Sequence, residues 1–182
     1  MKIPIVKLKA VIRYFCAYTD GRFLGKTKLM KLFYFLDFMS IKNYGAPITY
    51  DSYVNLEHGP IPSTIKNLVD TAADDIDNSV LADTIRFERP EGTNMCRVHS
   101  VRTFSKEDEK MFSKAELDIL RRVCSRFSNS NTQQIEEASH KEAPWRLTRL
   151  CEYIPYNLAA KDNDCKFTED ELGMILDVLN DC

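Results

Sequence analysis

Histidine stands at only three positions, His58, His99 and His140, and cysteine at six: Cys16, Cys96, Cys124, Cys151, Cys165 and Cys182. These are the side chains that could ligate a metal or pair as nucleophile and base. No HExxH, no CxxC and no close Cys/His cluster is present, so nothing local builds a zinc site. A Cys–His pair would have to assemble in space, and no spacing favours one. The chain has six glycines and no GxGxxG or GxxxxGK[ST] run, so no loop is built to cradle a phosphate. A cryptic hydrolase is the remaining enzymatic alternative. The residues themselves point to a protein with no catalytic residue, no cofactor and no metal.

Nucleic acid is the next class to weigh. Ala115–Phe127, the Ser128-Asn129-Ser130-Asn131 turn and Thr132–Ser139 could form a helix-turn-helix. The second helix carries Glu136 and Glu137, the wrong charge to approach phosphates. Net charge is −2, which gives no general pull toward DNA or membrane. The charge is uneven, however. The first 36 residues hold eight lysines and arginines against Asp20 alone, whereas residues 70–84 hold five aspartates and no base. Two solvated faces in weak mutual attraction account for this; a charged partner is the sharper reading.

The elements that must position these residues centre on Gly25–Leu68. From Leu29 to Ile41 only Lys31, Asp37 and Ser40 are polar, the pattern of a helix buried on nearly every side. Tyr44-Gly45 ends it with a left-handed cap. Ile48–Leu56 reads as a strand, with Tyr50, Tyr53 and Val54 favouring extended backbone. His58-Gly59-Pro60-Ile61-Pro62 reads as an elbow that stops the strand. Ser63 then caps a helix to about Ala73.

Before that core, Leu8, Val11, Ile12, Phe15 and Tyr18 recur at a helical period over Ile5–Tyr18, with Lys7, Lys9 and Arg13 off the stripe. This helix is expected to pack on Leu29, Leu32, Phe33 and Leu36. After an acidic loop, Thr84–Glu88 and Met95–Arg102 form a hairpin, for which the Ile48–Leu56 strand is the obvious neighbour. Ser105-x-x-Asp108, Ser113-x-x-Glu116 and Thr168-x-x-Glu171 begin helices, and Thr132 caps a short one. The last helix covers about 168–180. Residues 1–182 are thus expected to form one α+β domain, mostly helical around a central buried helix, with a small antiparallel sheet of about three strands. The N-terminus lacks a clean apolar core and cleavage site, and the apolar helix is broken at Asp37, so a cytoplasmic protein with reduced thiols and no membrane span is expected.

Two separated stretches carry a resemblance. Lys28-Leu29-x-Lys31-Leu32-x-Tyr34-x-x-Asp37-Phe38, Tyr44-Gly45-x-Pro47-Ile48 and Glu57-His58-Gly59-Pro60-Ile61-Pro62 resemble the start of the Panacea domain, also called SocA-like or phage-associated GepA-like. Ser139-His140-Lys141-Glu142-x-Pro144-Trp145-x-x-Thr148 resembles its second signature. The likeness spans roughly residues 8–150 and implies an antitoxin of a toxin–antitoxin pair. Such a protein binds a cognate protein toxin, by occlusion or as a proteolysis adaptor handing it to a Clp-type protease. A DNA-binding regulator of a phage or toxin–antitoxin operon is the alternative. Residues 74–102 look like an insertion between the signatures, and no extra DNA-binding domain is evident. Partner contact is expected at the elbow, through Tyr50, Tyr53, Glu57, His58, Gly59 and Pro60, with Trp145. Burial of Trp145 as an anchor of its irregular segment accounts for it better than full exposure. Lys31, Leu32, Tyr34, Asp37, His140 and Pro144 are motif positions with a structural part.

Overall fold

The apolar run after Gly25 folds as a helix, α2 (Lys26–Tyr44), in a computed structural model that describes residues 3–180. Every residue from Lys28 to Phe38 is buried, because neighbours cover the helix on all sides. Gly45 closes it at φ 78° and donates to the Ile41 carbonyl at 2.9 Å, the left-handed cap that glycine adopts without a Cβ clash.

Helix α1 (Ile5–Tyr18) buries Leu8, Val11, Ile12 and Phe15, and the Phe15 ring meets Phe33 of α2 edge-on at 5.3 Å. Two side chains depart from its predicted stripe. Tyr18 is 53% exposed. Arg13 is buried instead, with its guanidinium 3.2 Å from both the Asp108 carboxylate and the Thr84 hydroxyl. Periodicity alone does not show a buried ion pair, because the partner lies 95 residues away.

Among the described residues five strands, β1 (Tyr53–Leu56), β2 (Gly59–Pro62), β3 (Ile85–Glu88), β4 (Arg97–Ser100) and β5 (Tyr153–Ile154), form two antiparallel sheets. The first has the order β2–β1–β5; the second is the β3–β4 hairpin alone. Three expectations are corrected here. The first strand is shorter than Ile48–Leu56, because Asp37 ties down the backbone of Ile48 and Thr49. His58-Gly59-Pro60 is no strand-to-helix elbow. Leu56 pairs with Gly59 across a two-residue turn, and Gly59–Pro62 returns as an edge strand. The β3–β4 hairpin does not join β1. It packs on α1 and is bonded to the segment entering α2, from Val98 N–H to Leu24 (2.8 Å) and from Lys26 N–H to Cys96 (3.1 Å).

Two prolines fit β2 because of register. Ser63 N–H donates to the Ser52 carbonyl at 2.8 Å, so Val54/Ile61 and Leu56/Gly59 are the hydrogen-bonded pairs. Pro60 and Pro62 fall between them, where a donor would point away from β1.

The remaining helices are α3 (Ser63–Asp74), α4 (Lys106–Glu109), α5 (Lys114–Phe127), α6 (Thr132–His140), α7 (Ala143–Arg146) and α8 (Glu169–Asn180), with a 3-10 turn at Tyr156–Lys161. The Ser105/Asp108 and Ser113/Glu116 capping boxes are formed. Two caps differ from expectation. Asn131, not Thr132, caps α6. Ser63 is already inside α3, and the Asp51 carboxylate caps that helix by accepting from Thr64 N (3.0 Å) and Ile65 N (2.8 Å). The acidic stretch is partly used within the chain: Asp83 meets Lys9 at 2.7 Å, and Asp70 meets Lys26. No described helix is long and apolar enough to cross a membrane. Cys182 lies outside the described residues, and the other five cysteines are free thiols.

Candidate functional site

The two signature stretches meet in space around the β1–β2 turn. Lys31 projects from the middle of α2, fully buried, and donates to the Pro60 carbonyl at 2.9 Å. Burial pulls its ammonium down to about 7, because a charge removed from water is costly unless well paired. On the other side of the turn sit Ser139 and His140, at the end of α6. A Cβ on Gly59 would lie 2.6 Å from Ser139 Oγ, 2.9 Å from Lys31 Nζ and 3.2 Å from His140 Nε2. Gly59 also has φ 88°. The glycine is thus required twice, for backbone hand and for space. The turn is further tied to α6 by His58 Nδ1 and Glu136 Oε1, 2.7 Å apart.

His140 stacks on Trp145 at 4.0 Å between centroids, nearly parallel. Its Nε2 makes no hydrogen bond among the described residues. Burial lowers the His140 pKa, with further downward push from the Lys31 and His58 charges. Trp145 is half-buried and its indole N–H points to the Leu56 carbonyl at 3.4 Å. Pro144 is buried as the second residue of α7. Glu142 is held by Lys42 of α2, which also meets Asp162 at 2.8 Å and Asp164 at 3.0 Å. Burial works against the Lys42 charge, but the three carboxylates overcome it and hold the ammonium above its ordinary range.

Asn55 is the residue that sequence reasoning missed. Its Nδ2 donates to the Trp145 carbonyl (2.9 Å), the Thr148 carbonyl (3.0 Å) and the Thr148 hydroxyl (2.9 Å). Its backbone bonds both Cys151 N–H (2.7 Å) and the Glu152 carbonyl (2.9 Å). Two residues thus oppose one, a β-bulge, with Cys151 in the left-handed region at φ 67°. An asparagine inside an otherwise apolar strand was the available signal, since a buried polar group needs partners.

Asp37 organises the other flank. Its carboxylate accepts from Ile48 N and Thr49 N (both 2.8 Å), the Thr49 hydroxyl, Tyr53 Oη (2.9 Å) and Tyr156 Oη (3.3 Å). Burial pushes its pKa up to about 6, against the downward pull of those donors. Asp37 on one side and Asp51 on the other pin the backbone around Tyr50, which is held at φ 56°. That is a rare conformation for a bulky residue, sustained only when its surroundings over-determine it.

The predicted contact residues therefore divide. Glu57 and His58 are exposed, and Tyr50 and Trp145 are half-buried. Tyr53 is 1% exposed and belongs to the core; Gly59 and Pro60 are buried. Those three offer a partner no side-chain surface; Gly59 and Pro60 instead shape the turn, and Tyr53 anchors the start of β1 to α2. Leu32 and Tyr34 are core residues of α2. Beside Trp145 the structure adds residues that composition did not single out: Leu147 (56% exposed), Leu150 (63%) and Tyr153 (70%). They lie on the segment that Asn55 clamps. Among the described residues no group of three or more His, Cys, Asp and Glu is placed to hold a metal ion.

An α+β scaffold with a rigid, locked turn is thus the class that the fold and site define. The chain belongs to the family described as antitoxin SocA-like, Panacea domain, whose model matches residues 29–146. This is an antitoxin-like family, and its members are expected to have a toxin as partner. No curated protein and no solved structure matches the chain.

Proposed function

We propose that this chain neutralises a cognate protein toxin by binding it. The toxin's working surface is occluded, or the toxin is handed to a protease such as a Clp-type enzyme. Occlusion is the simpler mechanism here because it asks only for a pre-formed surface. The observation that carries the reading is the joining of both family signatures at one locked turn, followed by a segment on which Leu147, Leu150 and Tyr153 are exposed. Exposed leucine and tyrosine, with Trp145, Arg146 and Arg149 on the same segment, have the composition of a protein-binding hot spot. A surface held by Asn55, Lys31 and Glu142 costs little ordering on association. In this reading Glu57, His58 and Trp145 touch the toxin, and Gly59 and Pro60 hold them in place.

The α5–α6 pair supports DNA binding less well. Glu136 on α6 is engaged with His58, and Glu137 adds a second negative charge to the same helix.

The test is co-expression with the product of the neighbouring reading frame. That product should arrest growth when alone and be harmless with this chain. Leu150→Asp should abolish rescue while the purified variant melts normally. A harmless neighbour, or full rescue by Leu150→Asp together with His58→Asp, would refute the reading.

A further inference from the structure

A groove of about 640 Å³ lies between β5 and α8. Its walls are Tyr153 and Ile154 on one side and Leu176, Asp177 and Leu179 on the other, and Tyr50 and Tyr156 also line it. Tyr50 divides it from a second groove of about 430 Å³ at the start of α1. Three features say what would fill it.

The first is an open strand edge. β5 is the last strand of its sheet. Asn55 bonds toward β5, so the next residue along, Val54, bonds toward β2, and its partner Tyr153 points its N–H and C=O outward. Neither group makes a backbone bond outside the sheet among the described residues. An unpaired edge of this kind is completed by an added strand.

The second is charge. No cation lines the groove, and of its two aspartates Asp51 is buried and spent on capping α3, which leaves Asp177 as the free carboxylate. Asp177 is exposed, as is Glu152 beside β5. The third is the ring content: apart from the buried Tyr53, three tyrosines with some exposed surface, Tyr50, Tyr153 and Tyr156, line the groove, and the faces of such rings attract cations.

Resting on the antitoxin reading above, we infer that this groove takes an extended segment of the partner toxin that carries an arginine or lysine. The segment pairs its backbone with Tyr153 and lays its cationic side chain among the tyrosines toward Asp177. Affinity comes from the main chain and the rings, and selectivity from the Asp177 carboxylate.

The experiment uses the full chain and the toxin encoded beside it. Asp177→Lys and Tyr153→Pro change exposed positions, the second at an edge residue whose N–H points outward, so both variants should melt within about 2 °C of wild type, inside the range of surface substitutions. Each should weaken toxin binding about tenfold or more, with the Asp177→Lys loss appearing mainly in the on-rate and fading at high salt. Val80→Ser, at an exposed apolar site away from the groove, should leave affinity unchanged. A photo-cross-linker at Tyr153 should capture a toxin peptide containing the cation, and reversing that cation's charge should restore binding to Asp177→Lys. Normal binding by both groove variants would overturn the inference while leaving toxin neutralisation intact. Cross-linking to a second copy of this chain, or to a toxin segment without a cation, would overturn it too. A neighbouring product without toxicity would instead remove the reading beneath it.

Discussion

Gly59→Ala isolates the lock between the two signatures. Its cost has two parts. A non-glycine residue in the left-handed region loses about 1–2 kcal/mol. The methyl would also lie 2.6 Å from Ser139 Oγ and 2.9 Å from Lys31 Nζ, and overpacking of this kind costs about 1–3 kcal/mol. Together they give about 2–5 kcal/mol, or about 4–20 °C in Tm for a chain of this size. Lys31 is a long side chain but has little freedom, since it is fully buried and bonded to the Pro60 carbonyl. Ser139 is fixed by its own bond to the Glu136 carbonyl at 2.7 Å. The assay is thermal and denaturant unfolding of wild type, Gly59→Ala, Ser139→Ala and the double variant. Removing Ser139 Oγ should return the overpacking part and leave the conformational part, so the double variant should be more stable than the sum of the singles. Pro60→Ala should cost less than Gly59→Ala, because it keeps the β1–β2 ladder and adds no atom against Lys31 or Ser139; what it loses is buried ring contact and chain entropy. A Gly59→Ala protein that melts with wild type, or strictly additive effects in the double variant, would refute the lock.

Other outcomes follow from the same geometry. Asn55→Ala strips the donors from two carbonyls of the 145–148 segment and should cost about 2–4 kcal/mol; limited proteolysis should then cut between Arg146 and Glu152 in the variant and spare wild type. Asp37 gives a pH dependence of definite sign. Its folded pKa of about 6 lies above the ordinary carboxylate value of 3.8, so the folded state holds this proton more tightly. The associated stability is fully present below about pH 4 and is lost as pH rises through 6. Each tenfold gain in proton affinity on folding is worth about 1.4 kcal/mol, so wild type should lose about 2 kcal/mol relative to Asp37→Asn between about pH 4 and pH 7. Urea unfolding of both proteins across that range checks it; a stability of wild type relative to Asp37→Asn that stays flat, or that rises with pH, counts against a buried, desolvated carboxylate.

What could be read in advance follows from how local each signal is. The central helix, its Gly45 cap and the Ser105, Ser113 and Thr168 boxes depend on residues within one or two turns, and those elements are present. The Asp51 cap of α3 could not be read from sequence spacing, because the carboxylate arrives from the facing strand, not from the residue before the helix. The hairpin at Glu57-His58 reads as an elbow in the sequence because two prolines argue against a strand; only the register shows that both occupy positions needing no donor. The site divides the same way. Glu57, His58 and Trp145 are legible as turn and aromatic residues. Leu147, Leu150 and Tyr153 are not, since an irregular segment gives no period from which to infer which side chains face out.

The family match ends at Arg146, and that boundary falls between the lock and the β5 and α8 walls of the groove. Lys31, Gly59, Ser139 and His140 all lie within the matched span. Tyr153 and Ile154 of the open edge, and Leu176 and Asp177 of α8, lie beyond it. The family model thus covers the Tyr50–Tyr53 side of the groove, while its β5 and α8 walls are built by residues beyond the match. Their chemistry has to be argued from this chain alone. If partner choice is set there, grafting α8 and the 153–157 segment onto another member should move toxin specificity without moving the melting temperature. Exchanging the His58–Pro60 turn should do the reverse. A turn exchange that carried specificity with it would place recognition inside the matched span, and would assign the groove no part in choosing a partner.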